Sequence, residues 1–176
     1  MEKSSETKSV IEQAAEDLFN FAVDREDIKL LMAGLHEAAD IKRNAVEYEL
    51  QILKIISVGW SISYYLENYA QKDLIGAAYW RTIQEFSKNL SETYGLFVSQ
   101  SFDYFQILKD RLETYVNALH QKPSAPEPAV IIGPVFADLC GNRNDAFTAL
   151  TGSKMFISTI GCVKQYIENL GLKQAM

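Results

Sequence analysis

Apolar side chains recur at helical intervals along almost the whole chain. Val10, Ala14, Leu18 and Phe21 fall at i, i+4, i+8 and i+11, one face of a helix. The pattern pauses at Asp24-Arg25 and resumes with Ile28, Leu31, Met32, Leu35 and Ala39, which predicts a second amphipathic helix or a bend in one long helix. From Ile41 through Ala45, Tyr48, Ile52, Ile55, Gly59, Ile62 and Leu66 to Tyr69, apolar positions alternate four and three apart, a heptad seam of four repeats. Such a helix, roughly 30 residues, runs about 45 Å. A second apolar row, Val46, Leu50, Leu53, Ile56 and Trp60, lies beside the seam, and Lys54 is the only charge between Leu50 and Leu66. A helix apolar on most sides is packed by neighbours on several faces.

Asp73 is the expected N-cap of the next helix, with Leu74, Ile75, Ala78, Tyr79, Ile83, Phe86 and Leu90 turned inward. The row continues through Phe97, Phe105, Leu108, Leu112, Tyr115 and Leu119. It reads as one long element kinked at Gly95, since a lone glycine costs a helix only about 1 kcal/mol. Pro123, Pro126 and Pro128 then forbid a helix, so 121–133 is a Pro-rich connection. After Gly133-Pro134 the helical pattern returns and is interrupted at Gly141-Asn142. Asn144 or Asp145 caps a short helix to Leu150, closed by Gly152. Ser153 caps a last one, with Phe156, Ile160, Val163, Ile167 and Leu170 inward and Gly171 as its stop.

No segment alternates with period two, and no hairpin dipeptide or fixed-period repeat occurs. The expected fold is therefore all-α. It is a single-domain helical bundle over 1–176 built around two long antiparallel helices, with a Pro-rich crossover, two or three shorter C-terminal helices and a disordered 1–9.

Composition permits such a core without staples, because 48% of the 176 residues are hydrophobic and 23% charged. Cys140 and Cys162 both lie in apolar helical stretches and read as buried free thiols. The opening Met1-Glu2-Lys3-Ser4-Ser5-Glu6 lacks the basic and apolar regions of a signal peptide, so the cytoplasm is the expected compartment. The net charge of −6 resides entirely in residues 1–40, which hold 10 acidic and 4 basic side chains. No basic stripe exists to neutralise phosphates, and nucleic-acid binding is not expected. The apolar stretch Leu50–Leu66, with Lys54 inside it, falls short of the about 20 residues that span a bilayer. It reads as a buried central helix rather than a membrane anchor.

Candidate chemistry is sparse. His36 and Asp40 stand i, i+4, as two metal ligands or a base and its orienting acid could. Glu49 is the one carboxylate on the second apolar row. These three are the weak metal candidates. The Glu-x-x-His pairs of a di-iron bundle are missing, since Ala33 and Asn117 precede the only histidines, His36 and His120, at the third position. The two cysteines show no paired zinc spacing, and no phosphate-loop or nucleophile-elbow motif occurs. Gly141-Asn142-Arg143-Asn144-Asp145 reads as a capped surface turn before it reads as an anion site. No catalytic residue and no cofactor are expected.

The aromatics remain. Trp60, Tyr64, Tyr65, Tyr69, Tyr79 and Trp80 crowd the junction of the two long helices, where their spacing fits both core packing and an interface. The function expected from sequence is therefore non-enzymatic association, as a homodimer or with a protein partner, through that cluster. The alternative is a small-molecule or metal-binding bundle whose internal cavity is lined by Tyr, Phe and Glu49.

Overall fold

Ser9 starts the first helix by capping. Its hydroxyl accepts from the Glu12 N–H at 3.2 Å while the Glu12 carboxylate accepts from the Ser9 N–H at 3.0 Å. The computed structural model describes residues 9–37, 41–98 and 100–172. Their helices are α1 (Val10–Val23), α2 (Glu26–Ala33), α3 (Arg43–Tyr65), α4 (Lys72–Gly95), α5 (Tyr104–Gln121), α6 (Ala129–Leu139) and α7 (Ala146–Asn169). The expected all-α class is the class observed, and no strand occurs among the described residues. The disorder expected over 1–9 lies outside the described residues except at Ser9, which is an ordered cap.

α3 is the axle. It touches each of the other six helices, and every residue from Glu49 to Ile62 except Trp60 is buried. Its polar side chains are what make that burial tolerable. Ser57 and Ser61 donate back to the carbonyls of Leu53 and Ser57 at 2.6 and 2.7 Å. Other side chains of α3 serve the ends of its neighbours, whose last carbonyls lack helical partners. Gln51 Nε2 donates to Ala22 O at 2.8 Å, and Arg43 donates to Met32 O at 2.8 Å. Lys54 Nζ, on a side chain 1% exposed, donates to Asp24 O at 2.8 Å and pairs with Asp27 at 2.9 Å, over the Phe21 ring. The bend at Asp24-Arg25 is thereby fixed from below, and the break falls where the sequence pattern pauses.

Several expected boundaries need correction. Residues 72–121 form two helices, not one kinked rod. α4 stops at Gly95, and Asp103 opens α5 by accepting from the Gln106 N–H at 3.0 Å. The Ser91 hydroxyl accepts from the Tyr104 N–H at 3.0 Å and ties the start of α5 to α4. Gln71, not Asp73, holds the N-cap position of α4, without a side-chain bond. α6 begins at Ala129, earlier than the expected end of the connection at 133, and carries Pro134 within it. Leu74 and Phe97 face outward rather than into the core. Cys140 is buried, but Cys162 is exposed.

The C-terminal region is also one helix where two were expected. Asp145 caps α7, accepting from the Thr148 N–H at 2.6 Å, and the helix runs through Gly152 and Ser153 to Asn169. Gly171, at φ 63°, stops it in the left-handed conformation. Gly152 has a packing role instead of a terminating one. A Cβ there would lie 2.5 Å from the Phe136 ring and 2.7 Å from its Cβ, so its absence lets α6 and α7 pack closely. Ser153 tightens the same crossing by donating to Ala129 O at 2.9 Å.

Gly152→Ala sets two effects in opposition. The added methyl gains up to about 1 kcal/mol of helix propensity. Overpacking against a Phe136 Cβ that cannot rotate away costs about 1–3 kcal/mol. The expected result is a net loss and a melting temperature several degrees lower; an unchanged or higher value would show that the crossing relaxes freely.

Candidate functional site

Four segments that are distant in sequence converge at one end of the bundle. α1 brings Val23 and the α1–α2 turn brings Arg25. α3 brings Tyr48 and Gln51, and α4 brings Phe86, Leu90 and Tyr94. Phe102 comes from the α4–α5 connection and Tyr104 from the first turn of α5. Together they line a half-open pocket of ≈ 480 Å³, within the range of small-molecule sites. The α4–α5 break is what creates it, because a straight rod could not turn Phe102 and Tyr104 back beside Phe86 and Tyr94.

The walls are ring against ring. Tyr104 meets Tyr48 edge-on at 6.4 Å, Phe86 edge-on at 6.3 Å and Phe102 at 6.1 Å, and Tyr94 lies 4.7 Å from Phe102. Such edge-to-face contacts order the rings and leave π-surface for a guest. The polar groups are few. Gln51 spends its Nε2 on Ala22 O, and its carbonyl oxygen has no donor among the described residues. The Tyr104 hydroxyl makes no hydrogen bond to a described residue, although the side chain is only 2% exposed. Burial, then the neighbouring Tyr48 and Glu49, hold this phenol well above the ordinary tyrosine range, so it remains a neutral donor. Arg25 is the one formal charge in the lining, and it is paired with Glu47.

The residues nominated from sequence lie elsewhere. Tyr79 is buried and donates to Ile55 O at 2.8 Å. Trp80 lies against Gly59, where any side chain would strike its ring. Trp60 is sandwiched by Tyr64 at 4.8 Å and Phe156 at 5.6 Å, and Tyr65 packs edge-on against Tyr64 at 5.1 Å. Tyr65 and Tyr69 are half-buried against the core. Only Tyr64 is largely exposed.

Two of the weak metal candidates are described. His36 sits beyond the end of α2 and stacks on Phe147 at 5.6 Å. Asp40 lies outside the described residues. Glu49, 3% exposed, is clamped by Arg111, whose Nε and Nη2 reach its oxygens at 2.7–3.1 Å. Among the described residues no three His, Cys, Asp or Glu side chains could hold a metal ion. In the Gly141–Asp145 loop, Arg143 pairs with Asp138 at 2.8 and 2.9 Å, so its guanidinium is engaged. Among the described residues, the helix long and apolar enough to cross a bilayer is α7 rather than the 50–66 stretch, and its inner face packs on α3 and α6.

A second cleft, ≈ 580 Å³, runs along α4 and α5 on the far side of Phe102. Its lining mixes Arg81, Lys88 and Lys109 with Glu85, Glu92 and Asp103, so it selects neither sign of charge. The aromatic pocket is the better-defined site. Sequence reading named Phe86 and Leu90 only as core and passed over Gln51, Tyr94, Phe102 and Tyr104. The available signal was the density of aromatics from Tyr94 to Phe105 around a glycine that ends a helix.

Fold and pocket together define an all-α bundle with an aromatic cavity near the ends of its helices. No protein-family model, curated protein or solved structure matches this chain. The pocket's own chemistry therefore carries the functional reading.

Proposed function

We propose that this protein is a non-enzymatic helical bundle that binds a small, largely apolar molecule in the aromatic pocket. The observation that carries this reading is the combination of five aromatic walls with two buried side chains, Gln51 and Tyr104, each holding a polar atom without a protein partner. Neither atom is sealed from solvent, so a guest that displaces the water on them must replace its hydrogen bonds. The free thiols Cys140 and Cys162 support a reducing compartment, the cytoplasm, for it.

Filling the pocket tests the reading. Leu90 lines it and is part-exposed, so Leu90→Trp can occupy the space while the fold is kept. Wild-type protein should bind the neutral dye N-phenyl-1-naphthylamine at one site with enhanced fluorescence, and Leu90→Trp should weaken that binding by about tenfold or more. Equal binding by both proteins would place the dye elsewhere and end the proposal.

Association is the second reading, and a different surface favours it. Phe147, Leu150 and Ile157 fall on one face of α7 and are each about half exposed. A second copy of the chain meeting this face would form a dimer, which sedimentation should detect and Ile157→Glu should dissociate. A chain that sediments as a monomer at high concentration removes this reading.

A further inference from the structure

With the pocket taken as a binding site, the reading on which this inference rests, its polar groups specify more than apolarity. The lining contains no carboxylate, and its single cation, Arg25, is already engaged by Glu47. A charged guest would therefore lose its hydration without gaining a free counter-charge, which selects a neutral one. The rings of Tyr48, Phe86, Phe102 and Tyr104 meet one another at edges and tilts, an arrangement that receives a flat π-system better than a branched aliphatic one.

Two atoms then set the hydrogen-bonding pattern. Gln51 is held in place by its Nε2 bond to Ala22 O, so its carbonyl oxygen is a positioned acceptor, open to water, and a guest that covers it must offer a donor in the water's place. The Tyr104 hydroxyl, neutral and without a partner among the described residues, is a donor open to water, and a guest that covers it must offer an acceptor. We propose that the pocket takes a neutral planar heteroaromatic molecule bearing both an N–H donor and a carbonyl or ring acceptor, the donor meeting Gln51 and the acceptor meeting Tyr104. A site whose buried polar atoms are satisfied by one ligand rejects the analogue that lacks the matching group more strongly than it rejects a change of size.

Four bicyclic probes of nearly equal size separate these contributions. Naphthalene offers neither group, indole only the donor, quinoline only the acceptor, and 2-quinolinone both. Their affinities for the full chain can be measured by ligand-observed NMR. The expected order places 2-quinolinone first, tighter than naphthalene by about tenfold or more, with indole and quinoline between them. Tyr104→Phe removes an oxygen that bonds nothing in the protein, so it should fold normally and bring 2-quinolinone down to the level of indole. Gln51→Met should bring it down to the level of quinoline, its fold checked by circular dichroism because the Ala22 contact is lost. Equal affinities for all four probes would overturn this inference and leave an apolar pocket standing. No binding of any probe, naphthalene included, would overturn the inference together with the pocket reading.

Discussion

Alkali is expected to unfold this protein in one cooperative step. Three buried phenols and a buried thiol retain their protons in the fold and release them outside it. Burial is the chief cause that raises Tyr79, Tyr104 and Tyr115 above their ordinary 10.0, and it lifts the Cys140 thiol from 9.0 to about 12. Below pH 9 both states hold these protons and no stability is at stake. As pH rises past 9 the unfolded chain loses the thiol proton, and past 10 the phenol protons, while the folded chain retains them. The unfolded state then binds fewer protons, so stability falls as pH rises.

Each such group withdraws about 1.4 kcal/mol per pH unit, and four together withdraw roughly 5.5. Against a total stability of about 5–15 kcal/mol, the transition should be complete within a few units, with a midpoint near pH 11–12. Far-ultraviolet circular dichroism and the part of the tyrosinate absorbance that comes from these three of the nine tyrosines should change together and steeply. A tyrosinate titration with no such steep part, completed while helicity is unchanged, would contradict the burial of these phenols. Tyr115→Phe should shift the midpoint upward. The Tyr115 hydroxyl is buried without a hydrogen-bond partner, so its removal also relieves a desolvation cost of about 1–3 kcal/mol at neutral pH.

Arg111→Met should destabilise the fold by about 3 kcal/mol, because it strands Glu49 as an uncompensated charge among buried side chains. The pair is asymmetric: the Glu49 side chain is 4% exposed and the Arg111 side chain 27%. Losing the acid leaves Arg111 free to reach water, so Glu49→Gln should cost less, about 1 kcal/mol. The double replacement Glu49→Leu with Arg111→Met should recover most of the loss, since an apolar pair of similar volume often equals a buried ion pair. Denaturant unfolding of the three variants measures this directly. A double variant no more stable than Arg111→Met would show that the two residues act through separate contacts.

How much of this was legible depends on the range of the interaction. The centrality of α3 could be read from the near absence of charge between Leu50 and Leu66, because burial on all sides leaves a compositional trace. The partners of its polar residues could not. Arg111 lies 62 positions from Glu49, and Lys54 meets Asp27 across 27. Periodicity reports which face a residue occupies and nothing about what stands opposite. The Ser9-x-x-Glu12 capping box was readable and was passed over. Asp103, three residues before Gln106, was a start signal outweighed by the apolar row that runs through Gly95. The same error hid the pocket, since Phe102 and Tyr104 approach Phe86 only when the chain turns between α4 and α5. At Trp60 and Trp80 the spacing suited core and interface alike, and both rings are half-buried, one against Phe156 and the other beside Gly59.

The position of α3 at the centre has a consequence for the order of synthesis. Its broadest cover comes from α7, made after the other described helices, which spans Ala146–Asn169. A ribosome adding about 5–20 residues per second needs roughly 5–20 seconds to travel from the end of α3 to the end of α7. During that interval the most apolar face of the nascent chain has only its earlier neighbours to lie against. Vectorial folding of this topology therefore leaves a time-limited sticky surface until α7 arrives.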